Sequence, residues 1–222
     1  MSDDQNHELE WRDGVPVSTR FDDPFYSLED GWAETQHVFL GGNDLPDRFR
    51  DGFTIGELGF GTGLNFAVAL AAWRRAGAPG HLQFVSFEAF PLDPEDAAAA
   101  LRVFADAGAA LPLVETVLSG APVAQAADVT LSLIEGDARA TLPTWQGRAD
   151  AWFLDGFAPA RNPEMWDPAL LRAVADHTAP GGTFATYTAA GDVRRALEAA
   201  GFAVDRQPGY GRKRHMSAGR LT

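Results

Sequence analysis

The sequence predicts an α/β fold: a Rossmann-like, mostly parallel sheet covered by helices on both faces and finished by a C-terminal antiparallel strand pair. Two observations carry this. From Phe53 onward, short apolar segments end at Gly or an acidic residue and are followed by Ala- or Leu-rich helical segments. A glycine-rich turn, Glu57-Leu58-Gly59-Phe60-Gly61-Thr62-Gly63, joins the first such strand to the first such helix. Parallel strands need crossover connections, and these supply the covering layers.

In order, strands are expected at Phe53 to Leu58, His81 to Phe87 (ending at Glu88), Val129 to Glu135 (ending at Gly136-Asp137) and Ala149 to Leu154 (ending at Asp155). A fifth spans Thr183 to Thr188, after a Pro180-Gly181-Gly182 turn. Helices are expected at Leu64 to Arg75, Pro94 to Ala107, Pro168 to His177 and Asp192 to Ala200, the last stopped by Gly201. Phe202 to Gln207 and His215 to Leu221 form the terminal pair. Residues 1–50 are loop-rich, with turn signals at Asp13-Gly14, Asp22-Asp23-Pro24 and Gly41-Gly42-Asn43. The aromatics between them (Phe21, Phe25, Tyr26, Trp32, Phe39) argue against disorder, so residues 1–50 read as an extension packed on a main domain of residues 51–222.

A chain of 222 residues with 45% hydrophobic content can bury a substantial core. Its apolar runs stay well below the roughly 20 residues of a membrane span, and Met1 to Glu10 is acidic, unlike an export signal. A soluble, cytoplasmic protein is expected. The absence of cysteine excludes disulfides and thiolate chemistry, and the five dispersed histidines have no ligand spacing, so no metal site is expected. The net charge of −13 argues against indiscriminate nucleic-acid binding. The charge is uneven: residues 151–222 carry 9 Lys/Arg against 7 Asp/Glu, which allows a basic face near the C-terminus.

Ligands of such sheets bind at the carboxyl ends of the strands, beside the switch in strand order. There, Gly59, Gly61 and Gly63 let the backbone approach a ligand closely. In the dinucleotide fingerprint a third glycine stands three residues after the second; here that position is Leu64, so the spacing suits a methyltransferase instead. Glu88 ends the next strand, where a carboxylate would hold ribose hydroxyls. Asp137 ends the third, where it would accept from an adenine amine. Asp155-Gly156-Phe157-Ala158-Pro159 places a carboxylate and a stiff turn at the mouth of the fourth. For Glu88, Asp137 and Asp155 taken singly, a helix cap or solvated loop acid is the competing structural reading.

Six segments resemble one family specifically: 38–43 (VFLGGN), 57–66 (ELGFGTGLNF), 86–88 (SFE), 150–166 (DAWFLDGFAPARNPEMW), 180–183 (PGGT) and 209–214 (GYGRKR). They are similar to the methyltransferase domain of the bifunctional tRNA wobble-uridine family MnmC, with the resemblance running from about Glu10 to Gly219. It implies transfer of a methyl group from S-adenosylmethionine to the primary amine of 5-aminomethyl-2-thiouridine, or its oxygen analogue, in tRNA. The flavin-dependent oxidase domain of that family does not match any part of the chain, so a stand-alone methyltransferase is expected, fed by a separate enzyme or by a pathway that makes the aminomethyl form directly.

On this reading the cofactor contacts are Tyr26, Glu57, Gly59, Phe60, Gly61, Thr62, Gly63, Asn65, Glu88, Asp137 and Asp155, with packing on the sheet the reading the residues favour for Tyr26. Asp155 is also the catalytic residue, orienting the amine or accepting its proton. Phe157 stacks on the uracil or anchors its loop, and Pro159 and Arg161 lie on the substrate side. Arg212, Lys213 and Arg214 form a cluster expected to contact tRNA phosphates. Arg194, Arg195 and Arg206 are weaker candidates of the same kind. Trp145, Trp152 and Trp166 read as packing residues. Competing functions are a small-molecule amine methyltransferase or aminopropyltransferase on the same fold, and a non-catalytic S-adenosylmethionine-binding module; the run Asp155 to Trp166 disfavours both.

Overall fold

The computed structural model describes residues 9–27 and 30–222. The first eight residues, most of the acidic opening stretch considered above, lie outside them. The core is an eight-stranded sheet. Its centre is β4 (Thr54–Leu58), flanked on one side by β5 (Leu82–Glu88), β7 (Val129–Glu135) and the antiparallel edge strand β6 (Val123–Ala126). On the other side lie β8 (Ala149–Leu154), β9 (Thr178–Thr186), β11 (His215–Leu221) and β10 (Phe202–Pro208). β4 pairs in parallel with both β5 and β8, so the chain reverses its direction of winding at this strand. The switch point therefore falls at the carboxyl ends of β4 and β8, directly above the glycine turn.

Helices α2 (Leu64–Arg75), α3 (Pro94–Leu101) and α4 (Leu111–Leu118) belong to one apolar cluster, while α6 (Pro168–Asp176) and α7 (Gly191–Ala200) belong to a second. Helix α2 is buried nearly all round, from Leu64 through Leu70, because both the sheet and the N-terminal segment cover it. Helices α3 and α6 are capped as their sequences dictate: Asp93 and Asp167 each accept from the backbone N–H two residues on, and a proline occupies the first turn. Helix α7 ends at Gly201, whose φ of 110° is the left-handed stop expected of a glycine.

Several expectations are corrected. The helix expected over Pro94 to Ala107 ends at Leu101, and Phe104 adopts an extended backbone that lets its ring pack edge-on against Tyr26 at 5.4 Å. Helix α4 and strand β6 fill a stretch in which no element was expected. The Pro180-Gly181-Gly182 segment is a bulge within β9, since Ala149 pairs with Thr178 and Ala151 already with Thr183. The N-terminal region carries a three-stranded sheet, β1 (Leu9–Arg12), β2 (Val15–Ser18) and β3 (Asp23–Pro24), then α1 (Gly31–Thr35) and a π-helical turn, Gln36–Gly41. Buried Asn43 joins this region to the sheet, donating to the Phe39 and Trp152 carbonyls and accepting from Thr183 at 2.5 Å.

Candidate active site

A cavity of about 560 Å³ opens at the switch point. Its floor is the turn between β4 and α2, where Gly59, Gly61 and Gly63 all have positive φ. A side chain on Gly59 would overlap the Asp155 carbonyl, because the ends of β4 and β8 converge there. Gly63 precedes α2 without offering a side-chain cap, so the first-turn N–H groups of the helix are not consumed by a capping residue. That end of α2 favours a negatively charged or electron-rich ligand.

Glu88 stands opposite. Its Oε2 accepts from the Gly61 N–H at 3.1 Å and its Oε1 from the Phe90 N–H at 2.8 Å. A carboxylate has about four acceptor sites, so Glu88 is oriented by backbone and keeps capacity for two ribose hydroxyls. Asp137 lines the same cavity but caps the short helix α5 (Ala138–Thr141) and is held on both oxygens by Arg139, whose guanidinium keeps its carboxyl below the usual range. The glycine backbone, the uncapped helix start and Glu88 together fit an adenosyl cofactor.

On the other side of β4 from Glu88, Asp155 follows β8 and lines the cavity. Asn65, the second residue of α2, donates to Asp155 Oδ2 at 2.5 Å and to Glu57 Oε1 at 3.0 Å, and accepts from Thr35 at 3.1 Å. Ser86 donates to the second Glu57 oxygen at 2.5 Å. Burial pushes the Asp155 carboxyl up to about 7, opposed by the Asn65 hydrogen bond and the Lys213 ammonium and reinforced by Glu34 and Asp23. Glu57 is fully buried, and desolvation raises it well above the usual carboxylate range despite its two donors.

The cavity is lined by Tyr26, Gly59, Phe60, Gly61, Thr62 and Asn65, and also by Glu88, Asp137, Asp155 and Phe157. Arg212 and Lys213 of the C-terminal cluster join them. Glu57, Gly63, Pro159, Arg161 and Arg214 do not line it. Glu57 lies beneath Asn65 and acts on the cavity through it. Arg161 instead pairs with Asp22 at 2.6 Å, tying the loop after β8 to the N-terminal sheet, and Asp23 reinforces the tie by accepting from the Ala158 N–H at 3.0 Å. Phe157 stacks on Phe21 at 4.7 Å and meets Phe25 edge-on at 5.3 Å, which anchors the loop while leaving the residue on the cavity wall. Tyr26 bonds to the Ala100 carbonyl and packs on Phe104, and its half-burial lifts the phenol to about 12.

Trp152 is fully buried, Trp145 packs edge-on against it, and Trp166 donates to the Phe157 carbonyl. The residues that the sequence alone left unassigned are Thr35, Ser86, Glu34, Asp23 and Tyr187. All are polar, but each gains its place from a partner distant in sequence. Among the described residues, no group of three or more His, Asp or Glu is disposed to hold a metal ion, and no helix is long and apolar enough to cross a membrane.

The parallel switch-point sheet, the glycine cradle and the oriented Glu88 define a Rossmann-like transferase domain built for an adenosyl cofactor. The S-adenosyl-L-methionine-dependent methyltransferase family model matches residues 103–222, and the chain belongs to that family. It is 47% identical over 96% of its length to the tRNA 5-methylaminomethyl-2-thiouridine biosynthesis bifunctional protein MnmC of Caulobacter sp. strain K31. It is 46% identical over 99% of its length to the MnmC protein of Pseudomonas aeruginosa. The chain spans 38% and 36% of the length of these two relatives. The crystal structure of MNMC2 from Aquifex aeolicus superposes with a TM-score of 0.78 at 25% identity, covering 94% of this chain and 67% of that one. The cofactor of the family is S-adenosylmethionine.

Proposed function

We propose that the chain methylates the primary amine of 5-aminomethyluridine, 2-thiolated or not, at the wobble position of tRNA. The observation that carries this reading is Asp155, a carboxylate on the cavity wall after β8, held by Asn65 at 2.5 Å, with Glu88 at the end of β5 on the far side of β4. S-adenosylmethionine, when bound, supplies an electrophilic methyl on a sulfonium. Glu88 and the glycine turn would hold its adenosyl part, leaving Asp155 for the acceptor.

An amine attacks only when neutral. If its pKa resembles that of lysine, near 10.4, removing the proton at pH 7 costs roughly 4–5 kcal/mol. Asp155 first pairs with the ammonium and then takes its proton, a task for which a carboxylate near 7 is far better matched than an ordinary one. Fixing the nitrogen in line with the methyl supplies most of the remaining acceleration, up to roughly 7–11 kcal/mol. The names of the relatives support tRNA as the carrier, and a tRNA substrate implies a cytoplasmic enzyme. The amine must come from an enzyme acting earlier on the same uridine. Residues 1–50 then act as an extension that shapes the acceptor side of a domain formed by residues 51–222.

Nucleoside mass spectrometry of tRNA from a deletion strain tests the reading. Loss of the methylaminomethyl nucleoside with accumulation of the aminomethyl form is expected; an unchanged nucleoside profile rejects it.

A further inference from the structure

The acceptor end of the cavity gathers acids from several elements. Asp23 comes from β3, Glu34 from α1 and Asp155 from the end of β8, with Glu57 of β4 beneath and the Tyr187 hydroxyl beyond β9. Against them stands Lys213, the one lysine of a chain that carries seventeen arginines.

The backbone turns Lys213 toward the cavity, with its side chain still 46% exposed. In the loop between β10 and β11, the Lys213 N–H donates to the Tyr210 carbonyl at 3.0 Å, with Gly211 in the left-handed region at φ 55°. The loop is pinned where His37 Nε2 meets the Pro208 carbonyl at 2.9 Å. Lys213 Nζ then lies 2.8 Å from Glu34 Oε1 and 4.1 Å from the centre of the Tyr187 ring. The Tyr187 hydroxyl donates to the carbonyl of Gly156, the residue after Asp155.

We propose that Lys213 is a positioning residue for methyl transfer: held by Glu34 and the Tyr187 face, it places a positive charge on the wall of the cavity that Asp155 also lines, and so sets the ionisation of the carboxylate that meets the acceptor amine. This rests on the assignment of Asp155 to the amine made above. A compact ammonium suits the seat, because it presents a point charge to an aromatic face and a carboxylate at once, whereas a guanidinium spreads its charge over a planar fork. Burial, Glu34 and Asp23 all oppose ionisation of Asp155, and Lys213 and the Asn65 hydrogen bond favour it.

The Lys213–Glu34 ion pair can be broken from either end, and this separates an electrostatic role from a tether. Without the Lys213 charge Asp155 holds its proton more tightly; without the Glu34 charge it releases it more easily. A loop tether gives the same effect from both ends.

The experiment is a carbon-detected NMR titration of protein labelled with ¹³C-carboxyl aspartate, the Asp155 signal being assigned with Asp155→Asn. In Lys213→Met the midpoint is expected to rise by about one pH unit, the lower end of the range for an adjacent opposite charge. In Glu34→Gln it falls, and in Lys213→Arg it stays nearest the wild type. Should the Met variant fail to fold, Lys213→Gln repeats the neutralisation. Midpoints that move the same way in the Lys213→Met and Glu34→Gln variants, or in neither, overturn the proposal. The titration needs neither tRNA nor cofactor, so it stands or falls apart from the substrate assignment. In turnover, the acid limb of the single-turnover rate is expected to move with the midpoint; a shifted midpoint beside an unmoved limb removes Lys213 from the reaction.

Discussion

Asn65 joins Asp155 to Glu57, its amide nitrogen lying 2.5 Å from one carboxylate and 3.0 Å from the other, so that one side chain links the mouth of β8 to the buried centre of β4. Replacing Asn65 with Ala removes the donor to one oxygen of each acid and the acceptor of the Thr35 hydroxyl. The expected loss is about 1–3 kcal/mol for a buried polar group left without its partner. Urea unfolding should show a lower midpoint at unchanged slope.

The raised Asp155 carboxyl has a consequence for stability. Its folded value of about 7 exceeds the ordinary 3.8, so between these values the folded state binds the extra proton. Stability from this group is fully present below about pH 4 and is lost as pH rises to about 7. Asp155→Asn removes that dependence. Thermal melts should therefore show the variant gaining on the wild type as pH rises from 4 to 8, and a difference that stays constant, or that shifts in favour of the wild type, counts against a raised Asp155 carboxyl.

Gly59 and Glu88 separate the cradle from its charge. Gly59→Ala puts a methyl group onto the Asp155 carbonyl from a backbone at φ 89°, so both stability and cofactor binding should fall. Glu88→Gln keeps the shape but weakens charge-assisted bonds worth about 1.5–3 kcal/mol, a rise in cofactor Kd of roughly 10–100-fold. Calorimetry with S-adenosylmethionine or its demethylated product reads both variants, and near-normal affinity in Glu88→Gln would move the ribose site elsewhere.

For tRNA affinity, Arg212 and Arg214 carry the expectation, because Lys213 is turned toward Glu34. Substituting both arginines with Ala should flatten the salt dependence of binding by about one unit of log–log slope for each lost phosphate contact. Binding measured from low to moderate salt distinguishes this from a general loss of fold, which leaves cofactor affinity impaired as well.

The sequence was most legible where periodicity and strand-end chemistry coincide. Leu64–Arg75, Val129–Glu135 and Ala149–Leu154 fall on the expected residues, and Glu88, Asp137 and Asp155 stand at the ends of their strands as expected. Strand β6 was hidden because four residues, VAQA, carry no alternation strong enough to mark an edge strand. Helix α4 was masked by the apparent run-on of α3, which tertiary packing of Phe104 interrupts. In the site, the glycine turn was readable because its spacing is local. The Thr35–Asn65–Glu57–Ser86 network was not, since it joins residues up to 51 positions apart in sequence. Lys213 read as part of a basic surface run, and its place comes from the Gly211 turn and from Glu34 and Tyr187, both distant in sequence.

The most direct test is single-turnover methylation of tRNA bearing 5-aminomethyluridine by the purified protein, run beside Asp155→Asn with nucleoside mass spectrometry of the product. Wild type should add one methyl group to the aminomethyl nitrogen. The variant should be slower by about 10²–10⁴-fold, as for loss of a positioned acid–base group, with cofactor affinity nearly unchanged. An aminopropyl product, no modification of tRNA, or an Asp155→Asn rate equal to wild type would contradict the assignment of Asp155 to the acceptor amine.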